Sequence, residues 1–129
     1  MKENTRVLIV DDQERARRGL KALLATQSEI EVVGEAADGE EAVRLAEALR
    51  PDVVLMDVRM PNMDGIEATK RIKRAHPEIK VIVLTMYDTH RREALEAGAD
   101  AFVLKSEGFE RLMAAVKSPH GALRVPRSS

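Results

Sequence analysis

The sequence predicts an α/β domain, a doubly wound parallel sheet with helices on both faces. Short apolar runs alternate five times with segments of helical periodicity, the pattern of repeated strand–helix units. Three of those runs are dominated by Val and Ile with no polar alternation, as strands covered on both faces require. Two of them lead straight into carboxylates, Val10 into Asp11-Asp12 and Met56 into Asp57. The carboxyl edge of such a sheet is where ligands bind.

The strands fall at residues 6–10, 31–34, 53–56, 81–84 and 101–104. The first helix sets Leu20, Leu23 and Leu24 against Arg15, Arg17, Arg18 and Lys21. The second, 40–49, gathers Ala42, Val43, Leu45, Ala46 and Leu49 on one side. The third starts near Gly65 and turns Ile66, Ala68, Thr69 and Ile72 inward. It stops at His76-Pro77, because a residue before proline is disfavoured in the helical region. The fourth, within 89–97, is the weakest: Ala94, Leu95 and Ala97 share a side and Gly98 is the stop signal. The fifth, 109–117, faces Leu112, Met113 and Val116 inward. Alternation implies right-handed crossovers, and both a Rossmann-like half and a flavodoxin-like sheet satisfy it. Residues 118–129 hold two prolines and no acid and have no helical period. They read as a disordered tail or the start of a linker.

A chain of 129 residues is one domain by length, and 44% hydrophobic content supplies a full core. Only 2% is aromatic, namely Phe102, Phe109 and Tyr87, which leaves little for stacking on bases or sugars. A net charge of −1 gives no general attraction to nucleic acid. The absence of Cys excludes disulfides and thiolate metal sites. No apolar stretch approaches the length of a membrane span, and the N-terminus leads directly into a strand. The chain therefore reads as cytoplasmic.

One sheet edge thus gathers Asp11, Asp12, Asp57, Thr85 and Lys105. A carboxylate at the end of a buried strand is costly unless solvated, paired or bound to a cation. Three together suit an octahedral Mg²⁺ that keeps several waters. One carboxylate can attack phosphorus, while a hydroxyl and an ammonium suit the oxygens of a phosphoryl group. Taken singly, each residue has a plainer reading. Asp11 or Asp12 would cap the first helix, Lys105 would be a surface charge, Thr85 an ordinary strand residue, and Phe102 core. Asp64-Gly65 is turn and helix-start chemistry. His76, His90 and His120 are scattered, without ligand spacing, and read as surface residues.

The motifs that hold these residues resemble the receiver domain of two-component response regulators. They are Val10-Asp11-Asp12, Leu55-Met56-Asp57-Val58-Arg59-Met60-Pro61-Asn62-Met63-Asp64-Gly65, Leu84-Thr85-Met86, and Ala97-Gly98-Ala99-Asp100-Ala101-Phe102-Val103-Leu104-Lys105. The likeness covers residues 5–117, and the Leu-Thr-Met stretch, the Ala-Gly-Ala turn and Lys105-Ser106 are most similar to the NarL/FixJ type. It implies a flavodoxin-like (βα)5 fold with strand order 2-1-3-4-5.

By the same resemblance, Asp57 accepts a phosphoryl group from the phosphohistidine of a sensor histidine kinase. Asp12, Asp57 and the backbone carbonyl of Arg59 ligate Mg²⁺, with Asp11 acting through water. Lys105 pairs with the phosphoryl group, Thr85 hydrogen-bonds to it, and Phe102 is the switch aromatic. Arg59 and Tyr87 match positions that tune access of water to the acyl phosphate; a long side chain and a ring there imply slow hydrolysis. The implied output is transcriptional regulation through an effector domain that this chain lacks, with homodimerisation on phosphorylation. Neither membrane nor direct nucleic-acid contact by this chain is implied.

The segment between Thr85 and Lys105 is shorter than receivers of this type usually have. At ~3.6 residues per turn, trimming the fourth helix would rotate its outer end. The preceding loop is therefore expected to shorten while residues 94–98 hold register. A phosphorylation-independent interaction module is the alternative function. A haloacid-dehalogenase-type phosphatase would need a second Asp where Arg59 stands. A flavodoxin would not place Asp11-Asp12 in the loop that must cradle a phosphate.

Overall fold

The computed structural model describes residues 4–119. Five strands, β1 (Thr5–Val10), β2 (Ile30–Ala36), β3 (Val53–Met56), β4 (Lys80–Thr85) and β5 (Ala101–Leu104), are parallel in the order β2-β1-β3-β4-β5. Between and after them lie α1 (Glu14–Leu24), α2 (Gly39–Leu49), α3 (Gly65–Ala75), α4 (Arg91–Glu96) and α5 (Phe109–Lys117). This order is the flavodoxin-like one of the two arrangements that the alternation allowed. The chain steps from β1 outward to β2 and then crosses back to β3, so the topological switch point lies between β1 and β3. Asp11 and Asp57 directly follow those two strands.

Alternate side chains of β1 build two cores, as the strand period dictates. Val7 and Ile9 pack with Leu24, Leu112 and Val116 on the α1–α5 face. Leu8 and Val10 pack with Ala42, Ala46, Ala68 and Ile72 on the α2–α3 face. Both faces are covered, which is why β3 and β4 are buried at every position.

The helix ends follow local chemistry. Asp38 caps α2 by accepting from the Glu41 N–H, and Asp64 caps α3 by accepting from the Glu67 N–H. α3 ends at Ala75, ahead of His76-Pro77. α4 is followed by Gly98 at φ +105°, the positive φ that favours glycine.

Several expectations need correction. β2 runs from Ile30 to Ala36, longer than residues 31–34. It is an edge strand with a register irregularity opposite Val7 and Leu8, and Glu31, Gly34 and Glu35 interrupt its apolar pattern and hide its length in the sequence. Leu23 and Leu95 are not core residues but 48% and 49% exposed. In α1, Leu20 and Leu24 form the inward stripe one turn apart, and Leu23 lies beside it. α4 has only six residues, and within it Ala94 alone is buried; a 3-10 turn at Asp88–His90 leads into it.

His76 is not a surface residue. It is buried at the end of α3, and its Nε2 lies 2.6 Å from Glu47 Oε1 of α2. His90 is partly buried beside Glu93, and His120 lies outside the described residues, as does all but the start of the expected tail at 118–129.

Two buried lysines fasten helices to the amino edge of the sheet. Lys73 of α3 donates to the carbonyls of Pro77 and Ile79 and pairs with Asp100 at 2.8 Å. Lys80 of β4 donates to the carbonyls of Ala115, Val116 and Ser118 at the end of α5. Among the described residues, no helix is long and apolar enough to cross a membrane.

Candidate functional site

Parallel strands bring their carboxyl ends to one edge, and the register decides which ends are neighbours. Val10 pairs with Met56, so Asp11 and Asp57 are the next positions on adjacent strands. The Asp57 N–H donates to the Val10 carbonyl at 3.0 Å, and the Asp11 N–H to Ala36 at 3.0 Å. Thr85 ends β4 opposite Leu104, and Lys105 follows as the first residue of a 3-10 turn, Lys105–Glu107.

Asp11, Asp12 and Asp57 each offer a carboxylate oxygen within 4.8 Å of the others. Asp11 is buried; its Oδ1 accepts from the Gln13 N–H at 2.9 Å and its Oδ2 from Lys105 Nζ at 2.9 Å. Asp57 is half-buried, and its Oδ1 accepts from the Val58 N–H at 2.8 Å. The Asp12 carboxylate is exposed and takes no hydrogen bond from any described residue. Burial pushes the Asp57 carboxyl above its ordinary range; Lys105 opposes this, and Asp11 and Asp12 add to it. The excess of negative charge fits a divalent cation. All three carboxylates are oxygen donors of the kind Mg²⁺ prefers, and Asp12 lies open to water.

Together with Arg59, Thr85, Tyr87 and Lys105, the three carboxylates line a cleft of about 580 Å³. Every residue placed there from the sequence is therefore in it, except Phe102. Phe102 is 4% exposed in β5, with the Arg91 guanidinium 4.7 Å from its ring centroid. At the mouth, the Arg59 guanidinium lies 5.9 Å from the Tyr87 ring centroid, and both side chains are exposed.

The loop after Asp57 is held by its glycine and by α2. The Gly65 N–H donates to the Val58 carbonyl at 2.8 Å, and a Cβ on Gly65 would overlap the Asp57 carbonyl oxygen. Asn62 Nδ2 donates to Asp38 Oδ2, and the Gly39 N–H donates to the Met63 carbonyl at 2.9 Å.

One contributor was missed in the sequence. Arg17, expected on the solvent face of α1, has a side chain only 16% exposed. It donates through a terminal nitrogen to the Asp11 carbonyl at 2.6 Å and through Nε to Glu35 Oε1 at 3.2 Å. Its position three residues before inward-facing Leu20 was the available signal, since that spacing puts both on one helix face.

Residues 7–117 match the response regulator receiver domain family. The chain is 47% identical over 114 residues to the response regulator protein VraR of Staphylococcus aureus, covering 87% of this chain and 54% of VraR. It thus spans about half the length of the curated relatives it matches. A DNA-binding response regulator of the LuxR family from Staphylococcus aureus superposes with a TM-score of 0.82 at 31% identity, covering 87% of this chain and 95% of that one. The CheX–CheY–BeF3–Mg complex from Borrelia burgdorferi gives a TM-score of 0.81 at 28% identity, covering 88% and 87%. The chain belongs to the response regulator receiver domains of two-component systems, and within them it matches the NarL/FixJ type.

Proposed function

We propose that Asp57 is the phosphoacceptor of this receiver and that a sensor histidine kinase is the donor. The observation that carries the reading is the convergence of three carboxylates within 4.8 Å on the sheet edge that also holds Thr85 and Lys105. Asp57 Oδ1 is occupied by the Val58 N–H, so Oδ2 is the attacking atom. A P–O bond forms to Oδ2 as the P–N bond of the phosphohistidine breaks; the imidazole leaves with the electron pair and takes up a proton.

Asp12, Asp57 and the Arg59 carbonyl would hold Mg²⁺, with Asp11 acting through water; a CheY relative complexed with BeF3 and Mg supports this. When bound, the cation neutralises charge on the carboxylates and on the transferring phosphoryl oxygens. Lys105 then leaves Asp11 for the phosphoryl group, and the Thr85 hydroxyl donates to it. The buried Phe102 follows Thr85, which converts an added charge into a packing change. The domain is a switch and not a turnover enzyme; it catalyses its own phosphorylation and a slow dephosphorylation. Arg59 and Tyr87 over the cleft mouth support the slow rate by restricting water.

The likeness to VraR and to a DNA-binding LuxR-family regulator supports a transcriptional output, exerted in the cytoplasm by an effector domain outside this chain. Homodimerisation on phosphorylation is part of the same proposal, as is a receiver unit spanning residues 5–117.

Intact mass after incubation with acetyl phosphate and Mg²⁺, beside Asp57→Asn, tests the chemistry. One phosphoryl adduct is expected in the wild type and none in the variant. An equal adduct in both would move the acceptor elsewhere. No adduct, even with a phosphorylated histidine kinase as donor, would favour the phosphorylation-independent module.

A further inference from the structure

The three site carboxylates are supported very unequally. Asp11 is gripped at four atoms: its N–H by Ala36, its two carboxylate oxygens by Gln13 and Lys105, and its carbonyl by Arg17. Asp57 is fixed by its N–H bond to Val10 and by the Val58 N–H. The Asp12 carboxylate has no such support, so its position depends on the backbone that carries it. The carbonyl held by Arg17 belongs to the peptide plane joining Asp11 to Asp12. Rotation of that plane swings the Asp12 side chain.

Arg17 is itself braced. Its Nε is held by Glu35 Oε1, and the other oxygen of Glu35 accepts from Lys21 Nζ at 2.8 Å. The Lys21 hydrogen bond holds the Glu35 carboxyl below its ordinary range, so it stays ionised and grips both cations. The planar fork of an arginine can serve a carbonyl and a carboxylate at once; a lysine ammonium on one stem cannot reach both with the same geometry.

We propose that Arg17 is a positioning residue for the divalent-cation site. Clamped by Glu35, it orients the Asp11–Asp12 peptide and so places the Asp12 carboxylate. The proposal rests on the cation-site reading given above. It predicts an effect opposite in sign to simple electrostatics. Removing a positive charge beside an acidic cluster should strengthen cation binding, whereas loss of a positioning contact weakens it, by about tenfold or more for a group supporting a metal ligand.

The test is a Mg²⁺ titration followed by backbone amide shifts of the wild type, Arg17→Gln, Arg17→Lys and Glu35→Gln, with urea unfolding of each in the absence of Mg²⁺. Arg17→Gln should bind about tenfold more weakly, and its phosphorylation by acetyl phosphate should recover as Mg²⁺ is raised. Arg17→Lys, which keeps the charge, should remain weaker than the wild type. Glu35→Gln should shift in the same direction, as loss of a negative charge alone also would, so Arg17→Lys carries the test should Arg17→Gln not fold. Saturable binding by the wild type with variants within twofold of it, or tighter, overturns the proposal alone. No saturable binding by the wild type overturns the cation-site reading and this proposal with it.

Discussion

Lys105 Nζ lies 2.9 Å from Oδ2 of Asp11, while the neighbouring Asp57 carboxylate takes a hydrogen bond from the Val58 N–H and, among the described residues, from no other. Lys105 thus rests on a carboxylate other than the proposed acceptor. By the proposed chemistry, an incoming phosphoryl group would draw Lys105 from Asp11, and a metal ion would compete with it there. Lys105→Gln is therefore predicted to separate two properties. Mg²⁺ binding should tighten, because the competing charge is gone. Phosphorylation should slow by about 100-fold, because the transferring oxygens lose a charged donor. Mg²⁺ titration and an intact-mass time course check the two signs.

The raised pKa of Asp57 makes stability depend on pH. Burial is the main cause, so the native state holds that proton more tightly than the unfolded chain. Between the ordinary aspartate value, about 3.9, and the raised one, the native state binds more protons, and stability contributed by this group rises as pH falls through the raised value. Above it, the ionised carboxylate is a full cost. Without Mg²⁺ at neutral pH, Asp57→Asn should be more stable than the wild type and lose that part of the pH slope. Mg²⁺ should stabilise the wild type more than the variant. Urea unfolding across pH, with and without Mg²⁺, decides it.

Gly65 has no room for a side chain, because a Cβ would overlap the Asp57 carbonyl oxygen. Relief requires moving the backbone of Asp57, the proposed acceptor. Gly65→Ala should destabilise the domain by roughly 2–4 kcal/mol and slow phosphorylation of whatever fraction remains folded. Chemical denaturation and intact mass measure both.

Lys73 and Asp100 form an ion pair whose side chains are 8% and 2% exposed. Asp100 Oδ2 also accepts from the Val81 N–H at 2.9 Å. Asp100→Ala would leave a buried ammonium and should cost about 3–5 kcal/mol, read as a lowered denaturant midpoint.

Arg59 and Tyr87 meet over the cleft mouth. If they restrict water, Arg59→Ala with Tyr87→Ala should shorten the phosphoryl lifetime several-fold while leaving Mg²⁺ affinity near that of the wild type. A time course of adduct loss after donor removal gives the answer; an unchanged lifetime rejects the role.

Much of this architecture was legible from spacing alone. The buried runs at β1, β3 and β4 announced a parallel sheet covered on both faces, and their polar ends located Asp11, Asp57 and Thr85 at one edge. The edge strand β2 was read short, because two glutamates and a glycine interrupt its apolar pattern. Leu95 was misplaced because a helix of six residues offers too few turns to separate a core position from its neighbour, and Leu23 because it lies beside the Leu20–Leu24 stripe. His76, Lys73 and Lys80 were unreadable for a common reason: a titratable side chain is buried only when tertiary partners satisfy it, and partners such as Glu47, Asp100 and Ser118 lie 27 to 38 residues away.

The anchoring of the loop after Asp57 to α2, through Asn62–Asp38 and Met63–Gly39, has a mechanical corollary. That wall of the cleft is riveted, as is the one formed by Asp11. The opposite wall is loosely built: Met86 and Tyr87 are 59% and 57% exposed, and they lead through a single 3-10 turn into a helix of six residues. A change at Asp57 is expected to displace that side first, since it has the fewest buried contacts to hold it. If Asp57 is the acceptor, the fold itself would give the signal its direction, through the side of the cleft with the fewest anchoring hydrogen bonds.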